Sequence, residues 1–499
     1  MRKSRRTALL AAVFSTGLVF ASGGAAQAES LAEAIALAYQ TNPQLLSQRS
    51  VLRNVDESYY RTVRGLGPTV TADVALGATG TYDFDPSTTC ISTGPTPICV
   101  IADKYQTSDQ VSVSVSATQP LYSGGRLSAN IRAQEAAVMA ARENLRQVES
   151  AVLLRVVQAY VEVNRAAEAL TIAEQNVVVL TRQREEAQVR FEVGASTRTD
   201  VAQAEARLAT SQTSLIAARA TLANAQAAYA QVVGQPPGKL EKEPSVASLL
   251  PADVTNAFRA AQENNPALRA AYLRERQSAE QVVAAKSAYR PSVTAQLTAG
   301  YDPNVFGQTE DTAITGAIRA SVPLFTGLTT GSTVRSAIET NKNDNILIED
   351  QRRSVLQQVT SNYNQLVSAR ASISSNEAAV AASNLAQTGT REEQQVGLRT
   401  TLDVLNAEQE YRAAQLNLVN ARASEYIAAV SLLSTMGRLD VGVFAPSAAR
   451  YNPSENFDKV NSFGLPWEPV VRTLDNLGAA STPTREAGQG EVVPTFEKP

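Results

Sequence analysis

Apolar residues recur at intervals of seven along much of this chain. Between 125 and 192, Ile131, Val138, Leu145 and Val152 form one row. The row slips by four residues and continues through Val156, Val163, Leu170 and Val177. Between 328 and 395, Ile348 and Val355 give way in the same manner to Val359, Leu366, Ile373 and Val380. Heptads predict packed helices, and a shared four-residue slip is a stutter that locally unwinds a supercoil. At about 1.5 Å per residue each helix would reach about 100 Å. Shorter heptad rows follow at 199–233 (Val201, Leu208, Leu215, Leu222, Tyr229) and at 402–436 (Val404, Tyr411, Leu418, Leu432, broken by Glu425). Their seams carry alanines such as Ala204, Ala218, Ala407 and Ala421, which let antiparallel helices approach closely.

A second period, of two, precedes each long helix. Val70, Ala72, Val74 and Leu76 alternate with Thr71 and Asp73, and Val111, Val113 and Val115 alternate with serines. Val293, Ala295, Leu297, Ala299 and Tyr301 form a third set, and Ile314, Gly316, Ile318, Ala320 and Val322 a fourth. This predicts strands near 68–80, 108–121, 291–302 and 312–325. Each is close to the roughly 9–11 residues of a tilted membrane-spanning strand. Four strands leave two open edges, which lipid does not tolerate, so several copies must share one barrel.

The two halves are duplicates. Asn42-Pro43 returns as Asn265-Pro266, and Pro120-Leu121-Tyr122-Ser123-Gly124 returns as Pro323-Leu324-Phe325-Thr326-Gly327. Val193-Gly194 matches Val396-Gly397, and Asp200-Val201 matches Asp403-Val404. The predicted organisation is a first repeat at 29–233, a linker at 234–252, a second repeat at 253–439, and a carboxyl segment at 440–499 whose end, from Gly478, reads as disordered. The first repeat holds an extra segment between its strands, and both cysteines, Cys90 and Cys99, fall inside it.

Residues 1–28 change the picture of where this happens. Basic residues at 2–6, an apolar run from Ala8 to Ala21 and Ala26-Gln27-Ala28 read as an export signal cleaved after Ala28. An exported chain favours a Cys90–Cys99 disulfide. Composition removes most chemistry. With no histidine and two cysteines, Ser-His-Asp, Cys-His and ordinary structural zinc sites cannot be built. No phosphate loop or nucleophile elbow appears either, so neither an enzyme nor a cofactor is expected. The net charge is −3, and Arg2, Lys3, Arg5 and Arg6 lie ahead of the cleavage point, so the mature chain is more acidic still and no nucleic-acid partner is expected.

With these features assembled, the chain resembles the TolC family of outer-membrane efflux and secretion ducts. The residues that carry the resemblance are the duplicated strand-strand-helix plan, the two Pro-Leu-aromatic-x-Gly junctions, and the stretches 191–201 and 396–404. It implies an α+β membrane protein: a homotrimer whose chains share a twelve-stranded β-barrel, continued by a periplasmic tunnel of α-helical coiled coils. The implied site residues follow. Gly194, Ala195, Ser196 and Thr197, with Gly397, Leu398, Arg399 and Thr400, would be helix-turn-helix tips that dock a periplasmic adaptor. Asp403 would ring the constriction, with Asn406 where relatives carry a second aspartate. Asp200, Thr199, Arg399 and Gln183 would form the polar latch, while Gln394 stands where the family has a tyrosine. An inner-membrane pump, ABC-type or proton-driven, would supply the energy, and 234–252 and 440–499 would belt the middle of the tunnel. The competing plan is a trimeric outer-membrane adhesin, whose barrel strands belong at the carboxyl end rather than inside each repeat.

Overall fold

Helices open each half, broken once by an Asn-Pro pair. The computed structural model describes residues 29–461, apart from 83, 85–87, 92–94, 96–97, 102–104 and 304–309, and then residues 466–479. The export signal at 1–28 and the tail beyond 479 lie outside the described residues. In chain order the first half contains α1 (Leu31–Thr41), α2 (Pro43–Arg64), β1 (Thr69–Tyr82), β2 (Thr88–Ile91), β3 (Ile98–Ile101), β4 (Tyr105–Tyr122), α3 (Arg126–Glu192) and α4 (Arg198–Val233). The second contains α5 (Val254–Asn264), α6 (Pro266–Lys286), β5 (Ser292–Pro303), β6 (Glu310–Ser321), α7 (Thr329–Gln395) and α8 (Thr401–Thr435). Three short helices follow: α9 (Val441–Phe444), α10 (Glu455–Asn461) and α11 (Glu468–Asn476).

The Asn-Pro pairs explain themselves in this frame. Asn42 Oδ1 accepts from Gln44 N at 3.0 Å, capping α2, while its Nδ2 donates to Val232 O at 3.0 Å. Asn265 does the same, capping α6 through Ala267 N at 3.0 Å and reaching Thr435 O at 2.8 Å. One side chain thus starts a helix and ties down the end of the return helix beside it.

The main core lies part-way along α3 and α7, where α1, α4, α5, α6 and α8 pack around them. It contains Val152, Val156, Val355 and Val359, so the heptad slip of both halves falls inside it. Tyr160, Tyr229 and Phe258 are fully buried there. At roughly 1.5–3 kcal/mol for each large side chain removed from water, this core anchors both long helices. Towards the strands the α3 row stays buried in smaller clusters, through Ile131, Val138 and Leu145, whereas α7 leaves Ile346, Leu347, Val367 and Leu385 exposed.

The strands form one antiparallel sheet in the order β1-β4-β5-β6, so both halves contribute to it and β1 and β6 are its edges. Apolar residues on these edges, including Val74, Leu76, Ile314 and Ile318, are exposed. The fourth strand ends at Ser321, short of the expected 325, because its only neighbour begins at Ser292 and the last pair is Ser292 with Ser321. The matching β4 runs on to Tyr122 because β5 continues beside it past the end of β1 at the Thr69–Thr118 pair, with Leu121 taken up in a bulge between Pro120 and Tyr122. In the extra segment β2 and β3 pair as a separate hairpin, with Cys90 opposite Cys99; Cys99 is disulfide-bonded.

The carboxyl segment begins on the main core, where Val441 and Ala445 are buried. After α9, it runs along α2 and α3 to the strand–helix junction. Phe457 of α10 stacks near Tyr59, with ring centroids 5.0 Å apart, and lies 5.3 Å from the Arg142 guanidinium. Asp475 of α11 accepts from Ser123 N at 2.6 Å, Ser123 Oγ at 2.8 Å, Gly125 N at 3.3 Å and Ser128 N at 2.9 Å. Gly478, where disorder was expected to begin, is instead packed against the Gly124–Gly125 backbone. The reason is local: Gly125 caps α3 without a side chain and Ser123 Oγ takes only Leu127 N, so Ser128 N needs an acceptor from elsewhere.

Candidate functional site

Both long helices end in the same turn. Gly194 and Gly397 sit at φ +78° and +81°, a region only glycine enters freely. Ala195 N reaches back to Arg190 O at 2.8 Å, and Leu398 N to Glu393 O at 2.9 Å, the six-to-one bond that closes a glycine-ended helix. Two residues later a threonine opens the return helix. Thr197 and Asp200 form a capping box on α4, and Thr400 and Asp403 form one on α8. The duplicated Val-Gly-x-x-Thr-x-x-Asp spacing is therefore a complete recipe for a tight reversal.

Asp200 and Asp403 act first as caps. Asp200 accepts from Thr197 N, Thr197 Oγ1 and Ser196 Oγ. Asp403 accepts from Thr400 N at 3.0 Å and Thr400 Oγ1 at 2.8 Å. Those hydrogen bonds, backbone first, hold both carboxyls below the ordinary aspartate range. Both therefore carry charge at neutral pH, Asp403 on an exposed tip.

The remaining latch candidates have other partners within the chain. Arg399 pairs with Glu393 at 2.8 Å on the exposed tip. Gln183 is buried and turned toward Glu408 at 3.5 Å. Thr199 is exposed. Among the described residues no hydrogen bond joins Gln183, Thr199, Asp200 and Arg399 to one another inside one chain. Gln394, the departure from the family tyrosine, donates to Thr401 Oγ1 at 3.2 Å. Asn406 accepts from Arg207 Nη2 at 3.2 Å, and Arg207 Nη1 also donates to Gln409 at 2.7 Å, so this guanidinium joins α4 to α8.

One group escaped the sequence reading. Glu408 is buried and accepts from Gln387 Nε2 at 2.6 Å, from Arg391 Nη2 and from Gln183 Nε2, joining α3, α7 and α8 just inside the tips. The signal was available: Glu408 stands four residues after Val404, on the buried stripe of its helix, where a charge demands partners. Glu408→Leu should leave three donors facing an apolar side chain. Because Arg391 is part-exposed and can regain water, the expected cost is about 2 kcal/mol. Hydrogen exchange across 383–395 checks it; unchanged protection there would remove Glu408 from the site.

Long coils rooted in a four-stranded sheet whose edge strands lie open have the layout of a channel with a helical extension. The comparisons carry this to a family. The model for outer membrane efflux proteins matches residues 34–235 and 257–438, so the chain belongs to that family. It is an outer-membrane channel of the α+β tunnel type, and not an enzyme. The outer membrane efflux protein BepC of Brucella suis is 33% identical over 93% of this chain and 97% of its own length. The alkaline protease secretion protein AprF of Pseudomonas aeruginosa is 28% identical over 68% of this chain and 73% of its own. The Campylobacter jejuni CmeC outer membrane channel superposes with a TM-score of 0.70 at 16% identity, covering 86% of this chain and 89% of that one. The match to both repeats, helices included, sets aside the adhesin plan.

Proposed function

We propose that three copies of this chain close a twelve-stranded barrel and form the outer-membrane exit of an export machine. The observation that carries the reading is the sheet: four strands, with the β1 and β6 edges unpaired and their apolar side chains exposed. Pairing β6 of one copy with β1 of the next satisfies every backbone edge in lipid. The exposed Ile346, Leu347, Val367 and Leu385 on α7 would be covered by the same assembly. The glycine turns at Gly194–Thr197 and Gly397–Thr400 then face a periplasmic adaptor, which links the duct to an inner-membrane pump, ABC-type or proton-driven. Asp403 and Asn406 line the constriction. Arg399, Asp200, Thr199 and Gln183 latch neighbouring coils, since none of them completes a latch within one chain. Adaptor binding shifts the closed–open balance by favouring splayed tips. Relatives named for efflux and for protease secretion leave both cargo classes open to this duct.

Planar-bilayer recording tests this. Detergent-purified protein should have the mass of three chains and give single-channel steps, and Arg399→Ser should raise their conductance by a few-fold. A monomer without steps, or a conductance unmoved by the substitution, would refute the reading.

A further inference from the structure

Every polar group of Glu29 is engaged. Its N donates to Lys239 O at 2.8 Å, and Glu241 N donates to its O at 3.1 Å, making a parallel bridge with the linker at Leu240. Tyr160 Oη lies 2.9 Å from Glu29 O and 2.8 Å from Glu241 O. The Glu29 carboxylate accepts from Tyr229 Oη at 2.7 Å, Gly238 N at 3.2 Å and Gln235 Nε2 at 3.3 Å. Tyr160 and Tyr229 are wholly buried, so their hydroxyls need these acceptors. One residue therefore fastens the linker between the repeats to both α3 and α4. Ser30 starts α1 through its capping box in the very next position.

Glu29 is also the residue that follows the expected cleavage point. We infer that the Ala28–Glu29 bond is the processing site and that Glu29, as the mature amino terminus, is a clasp that closes the inter-repeat linker onto the first helical hairpin. An export endopeptidase hydrolyses the bond: water adds its oxygen to the Ala28 carbonyl carbon, and the amine goes to Glu29. The new ammonium then makes a charge-assisted hydrogen bond to Lys239 O, shorter and stronger than an amide's. A protease needs the scissile bond accessible, whereas the closed clasp holds the nitrogen of that bond, Glu29 N, on Lys239 O. Cleavage therefore comes before the clasp closes.

The test has two parts. Intact-mass measurement of protein extracted from the outer membrane should give a chain starting at Glu29; any other start overturns the processing site. Trypsin then probes the linker at Lys239 and Lys242, both exposed. Glu29→Ala and Tyr229→Phe should each speed cutting there about tenfold, because buried donors or acceptors lose their partners. Glu29→Gln, which keeps an acceptor for Tyr229, should retain most of the protection and shows that the fold survives substitution. Equal cutting in wild type and Glu29→Ala would overturn the clasp, while channel conductance reports separately on the duct.

Discussion

Asp475→Ala is expected to free the carboxyl arm from the strand–helix junction. Asp475 is 1% exposed and takes hydrogen bonds from Ser123, Gly125 and Ser128, so it supplies the acceptor that Ser128 N of α3 finds nowhere in its own turn. Removing it leaves several buried N–H groups without acceptors, each costing about 1–3 kcal/mol. Water reaches them once the arm lifts, so the loss is limited to the arm's docking energy, about 2–3 kcal/mol. Hydrogen exchange in 468–476 should rise about 30- to 100-fold, since about 1.4 kcal/mol is a factor of ten. Exchange at wild-type rates would show that α10 alone holds the arm.

The same residue sets a pH dependence. Burial by itself would raise the Asp475 pKa, but the hydrogen bonds from Ser128 and Ser123 outweigh it and hold the carboxyl below the usual range. A depressed pKa in the folded state means that the stabilisation is complete above the ordinary aspartate value of about 4. It is lost as pH falls through the lower, folded value. Arm exchange in the wild type should therefore climb in acid below about pH 4, while Asp475→Asn should not share that climb.

Gly437→Ala is expected to be the most damaging single-methyl change. Gly437 ends the turn after α8 at φ +69°, and a Cβ there would lie 2.2 Å from Asn264 O and 2.9 Å from Asn265 N. That backbone belongs to the Asn-Pro link, so it cannot retreat without breaking the Asn265 cap on α6. Gly397→Ala is the control: its φ is +81°, but nothing lies within 4 Å of the added carbon. The control should cost about 1 kcal/mol of backbone strain, and Gly437→Ala about 3 kcal/mol or more, clash included. Thermal melts followed by helical circular dichroism should separate them, and equal melting points would show that the contact relaxes freely.

Much of the fold was legible because its signals are local and doubled. Heptads, alternating strands, Asn-Pro caps and Val-Gly-x-x-Thr-x-x-Asp tips each depend on neighbours a few residues away, and each occurs twice. The tip residues could be read as turns for that reason. Their partners could not: Gln183 of α3 meets Glu408 of α8, and Arg207 of α4 bridges to Asn406 of α8, each from the other repeat. Such contacts depend on helix rotation and on how two halves are laid together, which no spacing encodes.

The carboxyl arm shows the division most clearly. By itself the sequence determined a duplicated chain with two equivalent strand–helix junctions, each carrying an aromatic-x-Gly motif. Tertiary structure decided that they are not equivalent. At the first junction Gly125 lets the Gly478 backbone come so close that a Cβ would meet it at 2.5 Å. At the second the corresponding residue is Leu328, held at φ +65° with its side chain exposed, and Gly331 replaces Ser128. One arm must choose one junction, and it seats where a missing side chain leaves room and Ser128 N offers Asp475 a donor.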